Sequence, residues 1–136
     1  MDEMTIGALA KAGGVGVETV RYYQRRGLLA LPARAARGIR RYGGDALARI
    51  GFIRRAQQVG FSLDEVATLL RLGEEPGCRG ARSLAANKLA ASDARLRDLL
   101  GMRSALRRLI AQCDAGGARN CPIIESLSRE TADARR

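Results

Sequence analysis

Three cysteines are the residues of this 136-residue chain best suited to chemistry: Cys78, Cys113 and Cys121, in a sequence without histidine. Thiolates bind soft metal ions, so three of them indicate a soft-metal site, for which Hg(II) is the first candidate. Three sulfur ligands suit trigonal Hg(II), whereas tetrahedral Zn(II) would need a fourth ligand from Asp114 or water.

Two other uses of the cysteines compete with metal binding. A lone cysteine is often a small buried hydrophobic residue, but three cysteines that can converge weaken that interpretation. A redox switch would need two thiols within disulfide reach, and Cys113 and Cys121 could achieve this across the loop between them. Permanent disulfides are not expected in a reducing compartment.

The element that must position the cysteines is a long predicted helix from about Arg79 to Gln112, a segment without proline. Cys78 precedes this helix and Cys113 follows it, so a straight helix separates them by about 50 Å within one chain. One chain cannot bring both to one metal ion, but two antiparallel helices can. We therefore expect a site formed by Cys78 of one protomer with Cys113 and Cys121 of the other, present twice by symmetry.

A heptad pattern supports pairing of this helix in a homodimer. Its two seam positions hold Leu89, Leu96 and Ile110, and Leu99, Leu106 and Cys113. Ser92 and Arg103 interrupt the pattern. The alternative is a helix that bends at Gly101 and folds back on the preceding domain.

A helix-turn-helix is predicted near the N-terminus. Thr5 is the expected N-cap of a first helix that ends near Gly13, and a second helix covers about residues 17–26 before Gly27. Two short helices joined by a glycine-containing turn are typical of this motif. Residues 28–42 lack a helical period, and their last part, residues 38–42, predicts one arm of a small β-ribbon, or wing.

Two further helices are predicted after the wing. Asp45 is expected to cap the third, which runs to about Val59. Ser62 and Glu65 form the pattern of a capping box, which predicts a fourth helix from about residue 63 to 72. Pro122 favours the first turn of a short last helix.

The expected fold is therefore mainly α-helical and has three parts. Residues 1–72 form a winged helix-turn-helix DNA-binding domain, and residues 73–112 form a linker and a long antiparallel coiled-coil dimerisation helix. Residues 113–136 form a metal-binding loop, a short helix and a tail.

The charge of the chain points to a polyanionic partner. The chain has 24 Lys and Arg residues and 14 Asp and Glu residues, which give a net charge of +10. This excess favours nucleic acid over a membrane as the partner. Solubility alone could also account for the charge. The predicted recognition helix, the wing and the third helix supply the candidate DNA contacts: Arg21, Tyr22, Tyr23, Gln24, Arg25, Arg26, Arg40, Arg41, Arg49, Arg54 and Arg55. Each arginine taken singly could equally be a solvated surface residue.

Other classes of protein are disfavoured. No run reaches about 18 apolar residues, the length of a membrane span. Asp2 and Glu3 stand where a cationic leader would lie, so we expect a cytoplasmic protein without a signal peptide. The sequence has no P-loop, metalloprotease motif or nucleophile elbow, so it is not expected to be an enzyme.

The order of several short motifs resembles that of the MerR family of bacterial regulators. The motifs are residues 5–7 with 10–11, 17–23, 27–28, 40–42 and 60–65, and the likeness covers about residues 5–128. The resemblance implies a winged helix-turn-helix, an antiparallel dimerisation helix and a C-terminal effector loop. It also implies operator contacts by Arg21, Tyr22, Tyr23, Arg40, Tyr42 and Arg54.

The cysteine positions resemble the mercury-responsive branch of that family, with one departure. Seven residues separate Cys113 from Cys121, one fewer than is usual in that branch, and this spacing is similar to that of copper and gold sensors. Those sensors carry serine at the place of Cys78, so Cys78 favours a divalent ion. Cd(II) and Pb(II) stay open, while zinc sensors usually have further ligands near the loop.

The resemblance also implies a mechanism. The dimer occupies a promoter whose elements are too widely spaced for RNA polymerase, and it represses without metal. Metal binding favours the activating conformation, in which the DNA is bent and untwisted so that the promoter elements align.

Overall fold

The computed structural model describes residues 3–32, 38–116 and 120–129. Its helices are α1 (Ile6–Gly13), α2 (Val17–Arg25), α3 (Gly44–Gln58), α4 (Leu63–Leu72), α5 (Arg79–Asp114) and α6 (Pro122–Ser128). The described residues contain no strand, and the predicted mainly helical class is confirmed.

The helix-turn-helix begins and ends as the sequence predicts. The Thr5 side chain accepts a hydrogen bond from the N–H of Ala8 at 3.2 Å, which caps α1. Gly14 follows α1 with φ +71°, a left-handed conformation that favours glycine. Gly27, with φ +72°, ends the turn after α2 in the same way.

The prediction that Asp45 caps α3 is wrong. The helix begins two residues earlier than predicted, at Gly44, and its N-cap is Gly43, which has no side chain to bond the first turn. Asp45 lies inside that turn, where its charge still faces the positive end of the helix dipole. The predicted capping box of α4 is confirmed, with reciprocal hydrogen bonds between Ser62 and Glu65.

The predicted ribbon of the wing has little regular pairing in the part that is described. Met4 and Tyr42 form an isolated antiparallel bridge in which the N–H of each donates to the carbonyl of the other at 2.8 Å. Residues 33–37 lie outside the described residues. The bridge fastens the end of the wing segment beside the start of α1.

The core of the N-terminal part brings α1, α2, α3 and α4 together. Its fully buried side chains are Leu9, Val20, Leu28, Ile50, Ile53 and Val66. Complete burial of one such side chain contributes about 1.5–3 kcal/mol. This core fixes the position of α2, the predicted recognition helix.

Helix α5 runs for 36 residues without a break, through Gly101. At 1.5 Å per residue it is about 54 Å long. The large apolar side chains of its heptad are exposed in the single chain: Leu89, Leu96, Leu99, Leu106 and Ile110. No helix in the described part of the chain has the length and apolar character that a membrane crossing requires.

By its contacts the chain divides into two compact units, Met1–Lys88 and Leu89–Arg136. The boundary falls within α5, at Lys88. The predicted division into residues 1–72, 73–112 and 113–136 stays a prediction.

Candidate functional site

The predicted recognition helix α2 presents two of the candidate DNA contacts to solvent. The Arg21 side chain is 56% exposed and lies 3.4 Å from the carboxylate of Glu18, one turn earlier. Tyr22 is also exposed, and its hydroxyl accepts a hydrogen bond of 2.9 Å from Arg26. Exposed cationic and aromatic groups on one helix are suited to bases and phosphates.

Tyr23 and Tyr42, two other candidates, lie in the core. Burial raises the pKa of the Tyr23 phenol, whose hydroxyl donates to the Gln57 side chain at 3.4 Å. The Tyr42 hydroxyl accepts a hydrogen bond of 2.7 Å from the Gln24 amide. Both rings are structural, so any contact of these residues with DNA would use the hydroxyl groups.

The remaining arginines differ in their surroundings. The guanidinium of Arg40 donates to the carbonyl of Pro32 at 3.0 Å, and that of Arg54 donates to the carbonyl of Gly13 at 2.9 Å. Arg41 is exposed. Arg54 thus satisfies a carbonyl at the C-terminal end of α1, the end where a cation is favourable.

A groove beside α2 brings several candidates together. It has a volume of about 230 Å³, and Arg21, Gln24, Arg40 and Tyr42 line it. Two arginines and two neutral polar side chains on one groove form a cationic surface that can accept a phosphate backbone or a base edge. The structure thus combines residues from the recognition helix and the wing on one face.

Sequence reasoning missed an ionic contact that supports α2. Arg26, the C-cap of the helix, forms an ion pair with Asp64 in the first turn of α4. The pair joins residues 38 positions apart, which no local spacing rule can find. The only sequence signal was that Asp64 lies within the capping-box segment.

The cysteines occupy the ends of α5 and the start of α6. Cys113 lies in the last turn of α5, and Cys121 is the N-cap of α6. Their sulfur atoms are 3.9 Å apart. The structure therefore brings two of the three predicted ligands together within one chain.

The two thiols of this pair have different environments. The pKa of Cys121 is lowered because the backbone N–H groups of Ile124 and Ile123, at the start of α6, donate to its sulfur. The pKa of Cys113 is raised, first by burial, and also by its neighbours Cys121 and Asp114. Cys121 thus lies at the N-terminal end of α6, a position that favours the thiolate form.

Cys78 is exposed and directly precedes α5. Its carbonyl accepts the N–H of Arg82 at 2.8 Å, which starts the hydrogen bonding of the helix. Within residues 3–32, 38–116 and 120–129, no three His, Cys, Asp or Glu side chains of one chain cluster as a metal site.

The spacing of Cys113 and Cys121 can be compared with the needs of a bound metal ion. A metal–thiolate bond is about 2.3 Å for zinc, so a linear two-coordinate ion would hold its sulfurs about 4.6 Å apart. The observed separation of 3.9 Å is shorter. The two sulfur atoms are thus close enough for one soft metal ion to bind both.

Comparison with known families identifies the class of protein. Residues 4–72 match the model of the MerR HTH family regulatory protein, and residues 47–109 match the model described as MerR, DNA binding. Together with the helix-turn-helix, these matches define a regulatory protein of the helix-turn-helix class. The chain belongs to the MerR family, as the sequence motifs indicated.

Curated relatives are similar over nearly the whole chain. The mercuric resistance operon regulatory protein of Shigella flexneri is 46% identical over 136 residues, which cover 99% of this chain and 94% of the relative. That of Bacillus cereus is 35% identical and covers 92% of this chain and 97% of the relative. These relatives are transcriptional regulators, and they do not favour the alternative of a redox-responsive protein.

Solved structures show the same fold with metal bound. A transcription regulator from Ralstonia metallidurans CH34, in complex with lead(II), has a TM-score of 0.79 at 36% identity and covers 92% of this chain and 99% of its own. The MerR of Bacillus megaterium MB1, in complex with mercury(II), has a TM-score of 0.72 at 32% identity, with 93% and 100% coverage.

Proposed function

We propose that this chain binds operator DNA as a homodimer and activates transcription when Hg(II) binds to its three cysteines. The observation that carries the proposal is the pair of sulfur atoms, Cys113 and Cys121, 3.9 Å apart at the C-terminal end of α5, with Cys78 at its N-terminal end. The mercuric resistance regulators that resemble the chain over nearly its whole length support it.

The homodimer follows from α5. Its heptad leucines are more than half exposed in the single chain, and a helix of this length cannot cover them itself. Antiparallel pairing covers them and brings each Cys78 to the end of α5 that carries the cysteine pair of the other protomer. Each metal site is then made of three thiolates from two chains.

The ligand set favours Hg(II) over the other soft ions. When bound, the ion cross-links the two protomers through sulfur. Three thiolates without histidine suit a trigonal divalent ion, whereas Zn(II) would need a fourth ligand. Pb(II) and Cd(II) remain the alternatives, since a regulator 36% identical to this chain binds lead(II). Cu(I) and Au(I) are less suited, because two-coordinate ions leave Cys78 without a function.

The operator surface combines α2, the wing and α3. Arg21, Tyr22, Arg40, Arg41 and Arg54 are the proposed contacts, with the hydroxyl groups of the two buried tyrosines. The net charge of +10 supports a double-stranded DNA partner. The dimer acts in the cytoplasm, without catalysis, on a promoter that RNA polymerase also occupies, and it distorts the DNA so that the promoter elements align.

A mixed dimer tests the two-chain metal site. One chain carries Cys78→Ser and the other carries Cys113→Ser with Cys121→Ser, and different affinity tags allow the mixed dimer to be purified. Titration with Hg(II) under reducing conditions follows the thiolate-to-metal charge-transfer absorption. The mixed dimer is expected to form one three-thiolate site, against two in the wild-type dimer.

The parent dimers are the matched controls. Each contains the same substitution in both chains, so neither can form a three-thiolate site. A mixed dimer without any three-thiolate signal would show that the ligands come from one chain, or that Cys78 is not a ligand, and the proposed site would be wrong.

A further inference from the structure

The carboxylate of Glu65 binds two partners through one oxygen atom. Its Oε1 accepts the backbone N–H of Ser62 at 2.9 Å, as part of the capping box of α4, and lies 2.7 Å from the ammonium nitrogen of Lys88 in α5. These contacts lower the pKa of Glu65, the contact with Lys88 most strongly. The start of α4 and the first part of α5 are thus joined through one carboxylate.

The Lys88–Glu65 pair is more enclosed than the other ion pairs of the described residues. Both of its side chains are 26% exposed, whereas the other pairs each have at least one side chain more than 70% exposed. The stem of Lys88 passes over Gly60, which has φ +99°, and its Cδ would lie 3.7 Å from a Cβ at that glycine. Lys88 is therefore held on the turn between α3 and α4.

A second ion pair continues from the same turn of α4 toward the recognition helix. Asp64, next to Glu65, pairs with Arg26 at the end of α2, and Arg26 donates to the hydroxyl of Tyr22 at 2.9 Å. A series of polar contacts thus extends from Lys88 in α5, through the first turn of α4, to an exposed residue of α2. Lys88 is also the last residue of the first compact unit.

We propose that Lys88 and Glu65 are a positioning pair that fixes α5 on the DNA-binding unit and transmits the metal response to α2. This inference rests on the proposed function, because it names the regulation of that same protein. A movement of α5 caused by metal at its ends reaches the first unit through residues 79–88, where this pair lies. Networks of packed side chains and ion pairs with alternative arrangements can carry coupling between distant sites.

Glu65→Gln isolates the ion pair from the capping box. Glutamine also serves at this position of a capping box, so the hydrogen bond to Ser62 is kept while the charge is removed. Lys88→Gln removes the other partner, and Lys88→Arg restores a cation. Glu74→Gln is the matched control, because it removes the same charge from an exposed residue that forms no ion pair within the described part of the chain.

The metal response is measured on full-length dimers bound to a duplex that the wild-type protein selects from a random pool. The duplex carries 2-aminopurine at its centre, and Hg(II) is the ligand. The fluorescence reports the equilibrium constant of the Hg(II)-induced change in the duplex. Glu65→Gln and Lys88→Gln are each expected to lower this constant by about two- to thirty-fold. Duplex affinity and Hg(II) stoichiometry should stay within two-fold of wild type.

The pair is expected to act as one unit, so the double variant should lose no more than either single variant. Lys88→Arg should recover most of the response, which a general loss of folding would not allow. Full responses in Glu65→Gln and Lys88→Gln, or losses equal to that of Glu74→Gln, would overturn the positioning pair.

Hydrogen exchange without metal separates this inference from the proposed function. Glu65→Gln should speed the exchange of amides in residues 79–88 while Glu74→Gln does not, whether or not Hg(II) is the effector. A wild-type dimer that shows no fluorescence change with Hg(II) would contradict the proposed function. Unchanged hydrogen exchange in Glu65→Gln would contradict the positioning pair.

Discussion

The Tyr42 hydroxyl and the Gln24 side-chain amide form a 2.7 Å hydrogen bond between the end of the wing segment and the recognition helix. Tyr42 is 3% exposed, and its backbone also pairs with Met4. The bond therefore fixes α2 against the segment that carries Arg40. This contact determines how the recognition helix and the wing are presented together.

Tyr42→Phe is expected to lower the free energy of unfolding by about 1 kcal/mol, because the partly buried Gln24 amide loses its acceptor. The measurement is urea unfolding at fixed protein concentration, since the stability of a dimer depends on concentration. Tyr22→Phe is the control, with an expected change within about 0.5 kcal/mol, because Tyr22 is exposed. Equal effects of the two changes would show that the Tyr42 bond does not stabilise the fold.

Gly13 and Ile50 hold α1 against α3. A Cβ at Gly13 would lie 2.8 Å from Cγ2 of Ile50, whose side chain is fully buried. Gly13→Ala is expected to destabilise the fold by about 1–3 kcal/mol, because the core cannot move aside. Urea unfolding checks this. Ile50→Leu removes the Cγ2 methyl group. The double variant should therefore lose less free energy of unfolding than the sum of the losses of the two single variants, and additive losses would contradict the close contact.

Gly101 shows the opposite situation in α5. No atom lies within 4 Å of a Cβ built there, and the residue lies in the middle of a helix. The heptad places it away from the seam, two positions after Leu99. Gly101→Ala is therefore expected to stabilise each chain by about 0.5–1 kcal/mol, measured by thermal unfolding. A loss of stability would indicate that Gly101 lies within the helix pair.

Sequence patterns predicted the first residues of those helices that begin with a capping side chain. Thr5 capped α1, and the Ser62–Glu65 box began α4, both as predicted. Asp45 failed as the cap of α3, because a glycine pair before it allowed the helix to start earlier. A capping signal therefore predicts the first residue of a helix only when no neighbouring residue can cap the helix equally well.

The candidate site was predicted in its residue types but only partly in its geometry. Local spacing made Cys113 and Cys121 neighbours, and the structure gives their separation of 3.9 Å. Tyr23 and Tyr42 were predicted as DNA contacts from the motifs, yet both side chains are buried in the core. The Lys88–Glu65 pair joins distant residues, and such contacts follow from the tertiary fold rather than from any spacing.

The Glu65 ion pair gives a prediction for acid conditions. The folded protein lowers the pKa of Glu65 below its ordinary value of 4.5, so the pair stabilises the fold fully above that pH. As the pH falls through the lower pKa of the folded state, the carboxylate is protonated and this stabilisation is lost. The stability difference between wild type and Glu65→Gln should therefore be constant near neutral pH and shrink below pH 4.5, as urea unfolding at several pH values can show. A difference that grows on acidification would contradict the lowered pKa.

One exposed arginine of the recognition helix and one of the wing give the test of DNA recognition. Arg21 lies on the recognition helix, where a guanidinium can bond a guanine edge, whereas Arg41 lies on the wing, where a phosphate is the natural partner. Arg21→Ala is expected to weaken binding to the selected duplex by about 1–3 kcal/mol and to relax its sequence preference. Fluorescence anisotropy with the selected duplex and with single-base variants measures both effects.

Arg41→Ala is the matched control, because it removes the same charge from an exposed side chain of the wing segment. It should weaken binding to all duplexes by a similar factor and reduce the dependence of binding on salt, since one fewer phosphate is neutralised. If Arg21→Ala behaves in this uniform way as well, then Arg21 contacts the backbone of the DNA. The sequence would then have to be read by other residues of α2, with Gln24 the nearest candidate in the same groove.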